Sequence, residues 1–140
     1  MVELSVQYGN KAHNKGSIKL ERFASRLRPS ARRGFVRIGV MFVRDIAQRL
    51  SGPSHTLFPG CGNPYPGVVS GTLRASVMYD LLPGMGVRIG PGGLAEKYAA
   101  AQEFGTSRGV PARPYVKPSF DDKKDEAIKI LRDEIFEPLR

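Results

Sequence analysis

Between Ser30 and Leu50 the apolar residues recur at helical spacing, and they do so on more than one face. Phe35, Ile38, Phe42, Ile46 and Leu50 form one stripe with Met41 beside it, and Val36, Val40, Val43 and Ala47 widen it towards a second face. A surface helix needs only one apolar stripe, so a helix apolar over this much of its girth is covered from two sides. The segment predicts a long helix lying between a sheet and another helix or subunit. Arg32, Arg33, Arg37, Arg44 and Arg49 occupy the positions that remain. Gly34 and Gly39 weaken the helix by about 1 kcal/mol each relative to Ala.

Around that helix the chain is heavily punctuated. Gly and Pro together make up 27 of 140 residues, above the usual share of about 12%, which excludes an uninterrupted helical bundle. The length suits one domain, residues 1–140, and 41% hydrophobic content supports a packed core. Met1–Tyr8 reads as a short strand and Gly9–Gly16 as a polar turn. Ser17 caps a first helix to about Leu27, with Leu20, Phe23, Ala24 and Leu27 at helical spacing, and Pro29 ends it or starts the next element. The stretch 51–71 is a Gly/Pro-rich loop, long for an inert connection, and serves either assembly or surface padding.

Thr72–Tyr79 alternates, with Leu73, Ala75, Val77 and Tyr79 inward. Together with Val87–Ile89 it predicts a hairpin, turning at Leu82–Gly86 and broken by Pro91–Gly93. A short helix is expected around Tyr98–Gln102, then a loop over Gly105–Pro118. A last helix starts with Ser119 as its N-cap, with Asp121, Asp122 and Asp125 suiting the positive end of the helix dipole. Phe120, Ala127, Leu131 and Ile135 face one way, with Ile128 adjacent, and Pro138 stops the helix. The expected fold class is α+β: a small antiparallel sheet packed against a long helix, with a C-terminal helix.

Charge is uneven along the chain. The net charge is +9, with +8 in residues 1–50, +3 in 51–118 and −2 in 119–140. A basic first third attracts nucleic acid, an acidic protein surface, or both, and it also describes a merely solvated basic face. Lys15, Lys19, Arg22 and Arg26 step by three and four along the first predicted helix, and Arg32 and Arg33 follow. Such a series tracks phosphates without reading bases. No stacking platform of aromatics accompanies it.

Constellations for catalysis are thin. His13, His55 and Cys61 are the soft metal ligands, too few for a four-ligand zinc site. His55 and Cys61 lie six apart in a glycine-rich loop, a poor platform for a nucleophile and its base. Glu96 and Glu103 are seven apart with no histidine beside them, and the acids of the last helix read as solvated surface. Gly84, Gly86 and Gly90 miss the dinucleotide fingerprint by spacing. The expectation is a protein that is not an enzyme, with no metal and no cofactor. The single cysteine excludes an intrachain disulfide. No apolar run reaches the ~20 residues of a membrane span, and Met1–Gln7 does not read as a secretory signal. An intracellular product without a membrane partner is expected.

Three segments carry a resemblance. They are Gly71-Thr72-Leu73-Arg74-Ala75-Ser76-Val77, then Tyr98-Ala99-Ala100-Ala101-Gln102-Glu103-Phe104-Gly105-Thr106, then Ala112-Arg113-Pro114-Tyr115-Val116-Lys117-Pro118-Ser119-Phe120. In this order, over about residues 15–137, they resemble the tail-completion, or head–tail joining, family of long-tailed double-stranded DNA bacteriophages. The second and third segments are the more specific part. The chain departs from the family pattern in its longer loop around His55–Gly67, in Tyr115 where Phe is frequent, and in Val116 where Leu is common.

The resemblance implies a small α+β virion protein without catalysis, at the junction of head and tail, made in the host bacterial cytoplasm. It implies a homo-oligomeric ring, of about six or twelve copies by the symmetry of such necks. The ring's partners would be the head connector or adaptor and the tail terminator or tail tube, with non-specific contact to double-stranded DNA in the channel. Interface or motif candidates are Arg74, Tyr98, Glu103, Phe104, Gly105, Thr106, Arg113, Pro114, Tyr115 and Pro118. DNA-facing candidates are Lys15, Lys19, Arg22, Arg26, Arg32 and Arg33. Within the motif, Tyr98 and Phe104 are expected to anchor the middle segment to the sheet, Glu103 to pair with Arg74 or Arg113, and Gly105 to make a sharp turn. Pro114 and Pro118 are expected to stiffen the loop before the last helix. The alternative reading is a small basic nucleic-acid-binding protein that contacts the phosphate backbone.

Overall fold

A computed structural model describes residues 14–57 and 59–137, with side chains from residue 25 onward. The expected strand Met1–Tyr8 lies outside the described residues, as does most of the Gly9–Gly16 turn.

Helix α1 runs without a break from Asn14 to Arg49, with Pro29 inside it. The expected pair of helices separated at Pro29 is corrected to one helix of 36 residues, about 54 Å long at 1.5 Å per residue. A mid-helix proline removes one N–H donor and crowds the preceding turn, at about 3 kcal/mol. The buried residues that follow it hold the register: Ser30 and Ala31, then Ile38, Phe42, Ile46 and Leu50. Tertiary packing of an apolar face is the larger contribution to helix stability.

Most of the two-sided apolar face is covered within the chain, although Val40 stays exposed. Helix α2 (Thr72–Ala75) leads into strands β1 (Val77–Leu82) and β2 (Gly86–Pro91), an antiparallel pair in which Tyr79 faces Ile89 and Leu81 faces Val87. This inner row rests on α1, while Asp80 and Arg88 pair across the outer face at 3.1 Å. The turn at 83–85 holds Met85 at φ 63°, the left-handed residue that three-residue hairpin loops require. Residues 72–75 were expected as strand and are helix. Gly71, at φ 77°, opens that turn, and alternation begins only at the buried Val77, with Met78 exposed.

A single 3-10 turn, Gly93–Ala95, leads into α3 (Glu96–Phe104), and α4 (Val116–Phe136) closes the chain against the other side of α1. Gly34 and Gly39 mark where α1 is approached. A Cβ on Gly34 would sit 3.1 Å from Leu131 Cδ1 of α4, and one on Gly39 would sit 2.5 Å from Cγ of Tyr79 on β1. Five residues apart, they are about 140° apart around the helix, so they serve its two covered sides. The core cluster is Ile46, Leu50, Val77 and Tyr115, with Val43, Tyr65, Leu73, Ile89 and Val116 packed on it. Phe120 is half-exposed, yet its ring stacks on Phe42 at 5.3 Å. The α+β class and the helix–hairpin–helix arrangement are as expected.

Candidate functional site: a capped helix beside a cationic cavity

Helix α3 positions two sets of side chains. Ala95, Ala99 and Glu103, four apart, are buried; Tyr98 and Gln102, also four apart, line a cavity. The expected anchoring by Tyr98 and Phe104 is therefore corrected. Phe104 is 80% exposed and Tyr98 40%, because the small alanines, not the aromatics, sit on the inward stripe.

Glu103 does not pair with Arg74 or Arg113. Its Oε2 accepts the backbone N–H of Tyr115 at 2.8 Å and of Val116 at 3.0 Å, and its Oε1 accepts that of Lys117 at 2.9 Å. Residue 118 is proline and has no N–H. The first four N–H groups of a helix lack intrahelical partners, and here three go to one carboxylate and the fourth does not exist. The helix consequently starts at Val116, three residues before the expected cap. Ser119 is fully buried within the first turn, and its hydroxyl has no hydrogen bond of ordinary geometry.

The intervening loop returns by fixed bonds. Gly105, at φ 72° and ψ −179°, turns the chain out of α3 as expected. Thr106 N–H donates to Val110 O at 2.9 Å, and Val110 N–H donates back to the Thr106 hydroxyl at 3.3 Å. Arg113 N–H donates to Gln102 O at 2.7 Å. Pro114 is exposed. Tyr115 is fully buried, and its hydroxyl donates to Ala99 O at 3.4 Å. Burial, then the nearby Glu103 carboxylate, pushes its phenol well above the ordinary tyrosine range.

The loop 51–71 is closed on itself. Val68 N–H donates to Gly52 O at 2.9 Å, Asn63 Nδ2 to Pro53 O at 3.0 Å, and Tyr65 N–H to Asn63 Oδ1 at 3.1 Å. Gly67 lies so close to the Pro53 backbone that no Cβ fits. Arg49 ties this loop to both helices: Nε to Asp45 at 2.8 Å, Nη1 to the Tyr65 hydroxyl at 2.6 Å and Nη2 to Asp122 at 2.6 Å. Burial acts to raise the Asp45 carboxyl, but the Ser119 hydroxyl and Arg49 outweigh it and hold Asp45 below its ordinary value. For Arg49, burial is likewise outweighed by Asp45 and Asp122, which keep the guanidinium charged. Sequence reasoning placed Arg49 on the outer face of α1. Its spacing of four from Asp45 puts the two on one helix face, a signal for that pair but not for the contacts to Tyr65 and Asp122.

Between this loop, α2 and α3 lies a cavity of about 290 Å³. Arg74, Tyr98 and Arg113, one from each of the three motif segments, all line it, together with His55. Cys61 Sγ stands 3.8 Å from His55 Nδ1 and 3.6 Å from Pro53 O. Among the described residues, no group of three or more His, Cys, Asp or Glu is placed to hold a metal ion, and no helix is long and apolar enough to cross a membrane.

The DNA-facing candidates fall on α1. Arg26 and Arg32 are exposed; Arg33 bonds Glu134 at 3.3 Å and Ser30 Oγ at 3.0 Å. Side chains at 15, 19 and 22 lie outside the described ones. Helical continuity changes their register, however. Positions 15, 19, 22, 26, 33, 37 and 44, all basic, fall within about 60° of one another around a single helix. Arg32 lies about 100° off that line. No protein-family model, curated protein or solved structure matches the chain.

Proposed function

We propose that this chain is a structural assembly protein that works through its surfaces and performs no bond chemistry. Within that class, the reading is a tail-completion or head–tail joining protein of a long-tailed double-stranded DNA phage. It would stack as a ring between head connector and tail and leave a channel for DNA. One observation carries the reading. The two most specific motif segments meet physically, because Glu103 of the first caps the helix that Tyr115 and Pro118 of the second begin. The pattern that carries the resemblance thus has a mechanical reason to exist in this chain. Exposed apolar side chains at Leu82, Met85, Leu94 and Phe104 add surface of the kind that neighbouring subunits cover.

Antibody labelling of intact particles from the source of this chain, imaged by electron microscopy, tests the reading. Label at the head–tail junction is the expected result. Particles with accessible necks that never carry label would overturn it.

The basic line along α1 favours a second reading, phosphate-backbone binding. There, duplex affinity falls with salt at a slope set by the number of phosphate contacts. Arg26→Gln and Arg44→Gln would each flatten that slope, whereas salt-insensitive or absent binding would remove the reading.

A further inference from the structure

Arg74 and Arg113 line one cavity, and neither has a carboxylate partner among the described residues. Arg74 Nη1 reaches only the Ser51 hydroxyl, at 3.4 Å. The acid best placed by sequence to neutralise them, Glu103, is committed to three backbone donors of α4. Two arginines lining one recess without a carboxylate partner favour an anion there, and the planar fork of a guanidinium matches a carboxylate.

The rest of the lining selects among anions. Leu50, Val68 and Leu73 contribute apolar wall, and the Tyr98 ring and the Gln102 amide sit at α3. Such a wall suits methylene groups below a charged tip. The recess lies between a loop and a helix, whereas duplex phosphates sit on the outside of a stiff, broad rod and do not enter it. A glutamate on an extended protein segment meets both requirements.

We propose that this cavity is a docking site for an acidic segment of a neighbouring protein, with a glutamate carboxylate held between Arg74 and Arg113. Its partner class rests on the assembly reading above, while its chemistry is tested apart from it. The loop 51–71 forms one wall, so its internal hydrogen bonds keep the recess open before the partner arrives. Less ordering at the moment of binding means more of the contact energy appears as affinity.

The experiment is an amide-resolved NMR titration of the full chain. The probes are a short glutamate-leucine peptide, its glutamine-leucine counterpart, and a short DNA duplex. Saturable shifts confined to residues around Arg74, Tyr98 and Arg113 with the glutamate peptide alone are expected. Arg74→Gln and Arg113→Gln should each weaken that binding at least about tenfold, with unchanged thermal melting as the check on folding. Comparing the two peptides on the unaltered protein needs no variant. Equal shifts from the glutamine peptide, shifts located elsewhere, or duplex binding centred on this cavity would each overturn the proposal. Peptide binding in a protein that never labels the head–tail junction overturns the neck reading alone, and junction label without peptide binding overturns the cavity alone.

Discussion

The carboxylate of Glu103 accepts the backbone N–H of Tyr115 at 2.8 Å, so the end of one helix is the cap of the next. The same two oxygens also take Val116 and Lys117. A negative charge at this position also complements the positive end of the α4 dipole.

Removing that cap should be costly. Glu103→Ala leaves three buried or half-buried donors unsatisfied and is expected to destabilise the protein by about 2–4 kcal/mol. Glu103→Gln keeps one acceptor oxygen and loses less. Hydrogen exchange reads the mechanism directly: the amides of residues 115–117 should speed up in both variants, more in the alanine one. Unchanged protection there would contradict the capping role.

Gly39→Ala should destabilise, against helix propensity. Alanine is intrinsically better than glycine in a helix by about 1 kcal/mol, but its Cβ would meet the Tyr79 ring at 2.5 Å. Overpacking of this kind costs about 1–3 kcal/mol. In a Tyr79→Ala background the same substitution should become neutral or stabilising, as a double-mutant cycle by chemical denaturation would show.

Gly105 admits no substitute. Its φ of 72° with ψ of −179° belongs to a backbone region populated almost only by glycine. A Cβ there would also lie 2.8 Å from Val110 O and Ala112 N. Gly105→Ala is expected to lower stability by about 2–3 kcal/mol. Gly105→Asn should give no rescue, since tolerance of positive φ does not remove the Cβ. A melting temperature close to wild type in either variant would refute this account.

Asp45 sets an acid limit. Its carboxyl is held below the ordinary value of 3.8, so the stabilisation is complete above that pH and is lost as pH falls through the lower folded value. Asp45→Asn should therefore be less stable than wild type near neutrality by about 1–2 kcal/mol. The gap should narrow as pH falls below 3.8 and through the lower folded value, which thermal melts across a pH series would reveal. A constant gap at every pH would mean that packing, not ionisation, is responsible.

Several features were legible residue by residue. The repeat Ile38, Phe42, Ile46, Leu50 marked the buried face of α1, and the alternation from Val77 marked β1. Gly105 read as a sharp turn because it opens a loop directly after a short helix, where a residue without a Cβ is free to turn. Pro29 misled, because local propensity argues for a break that packing of the following residues overrides. Thr72–Ala75 misled because four residues of alternation are too few to separate a strand from a helical turn.

Periodicity and composition alone determined the class: an α+β chain, one long helix apolar on two sides, a hairpin and a final amphipathic helix. Those properties depend on neighbours within a few positions, which the order of residues carries directly. Only the tertiary structure decided where Glu103 would spend its charge, that Gly34 and Gly39 would seat α4 and β1, and that Arg74 and Arg113 would line one cavity. A carboxylate takes whichever donors the fold brings within about 3 Å, and Glu103 comes that close to the amides of Tyr115, Val116 and Lys117 only when the chain has closed on itself.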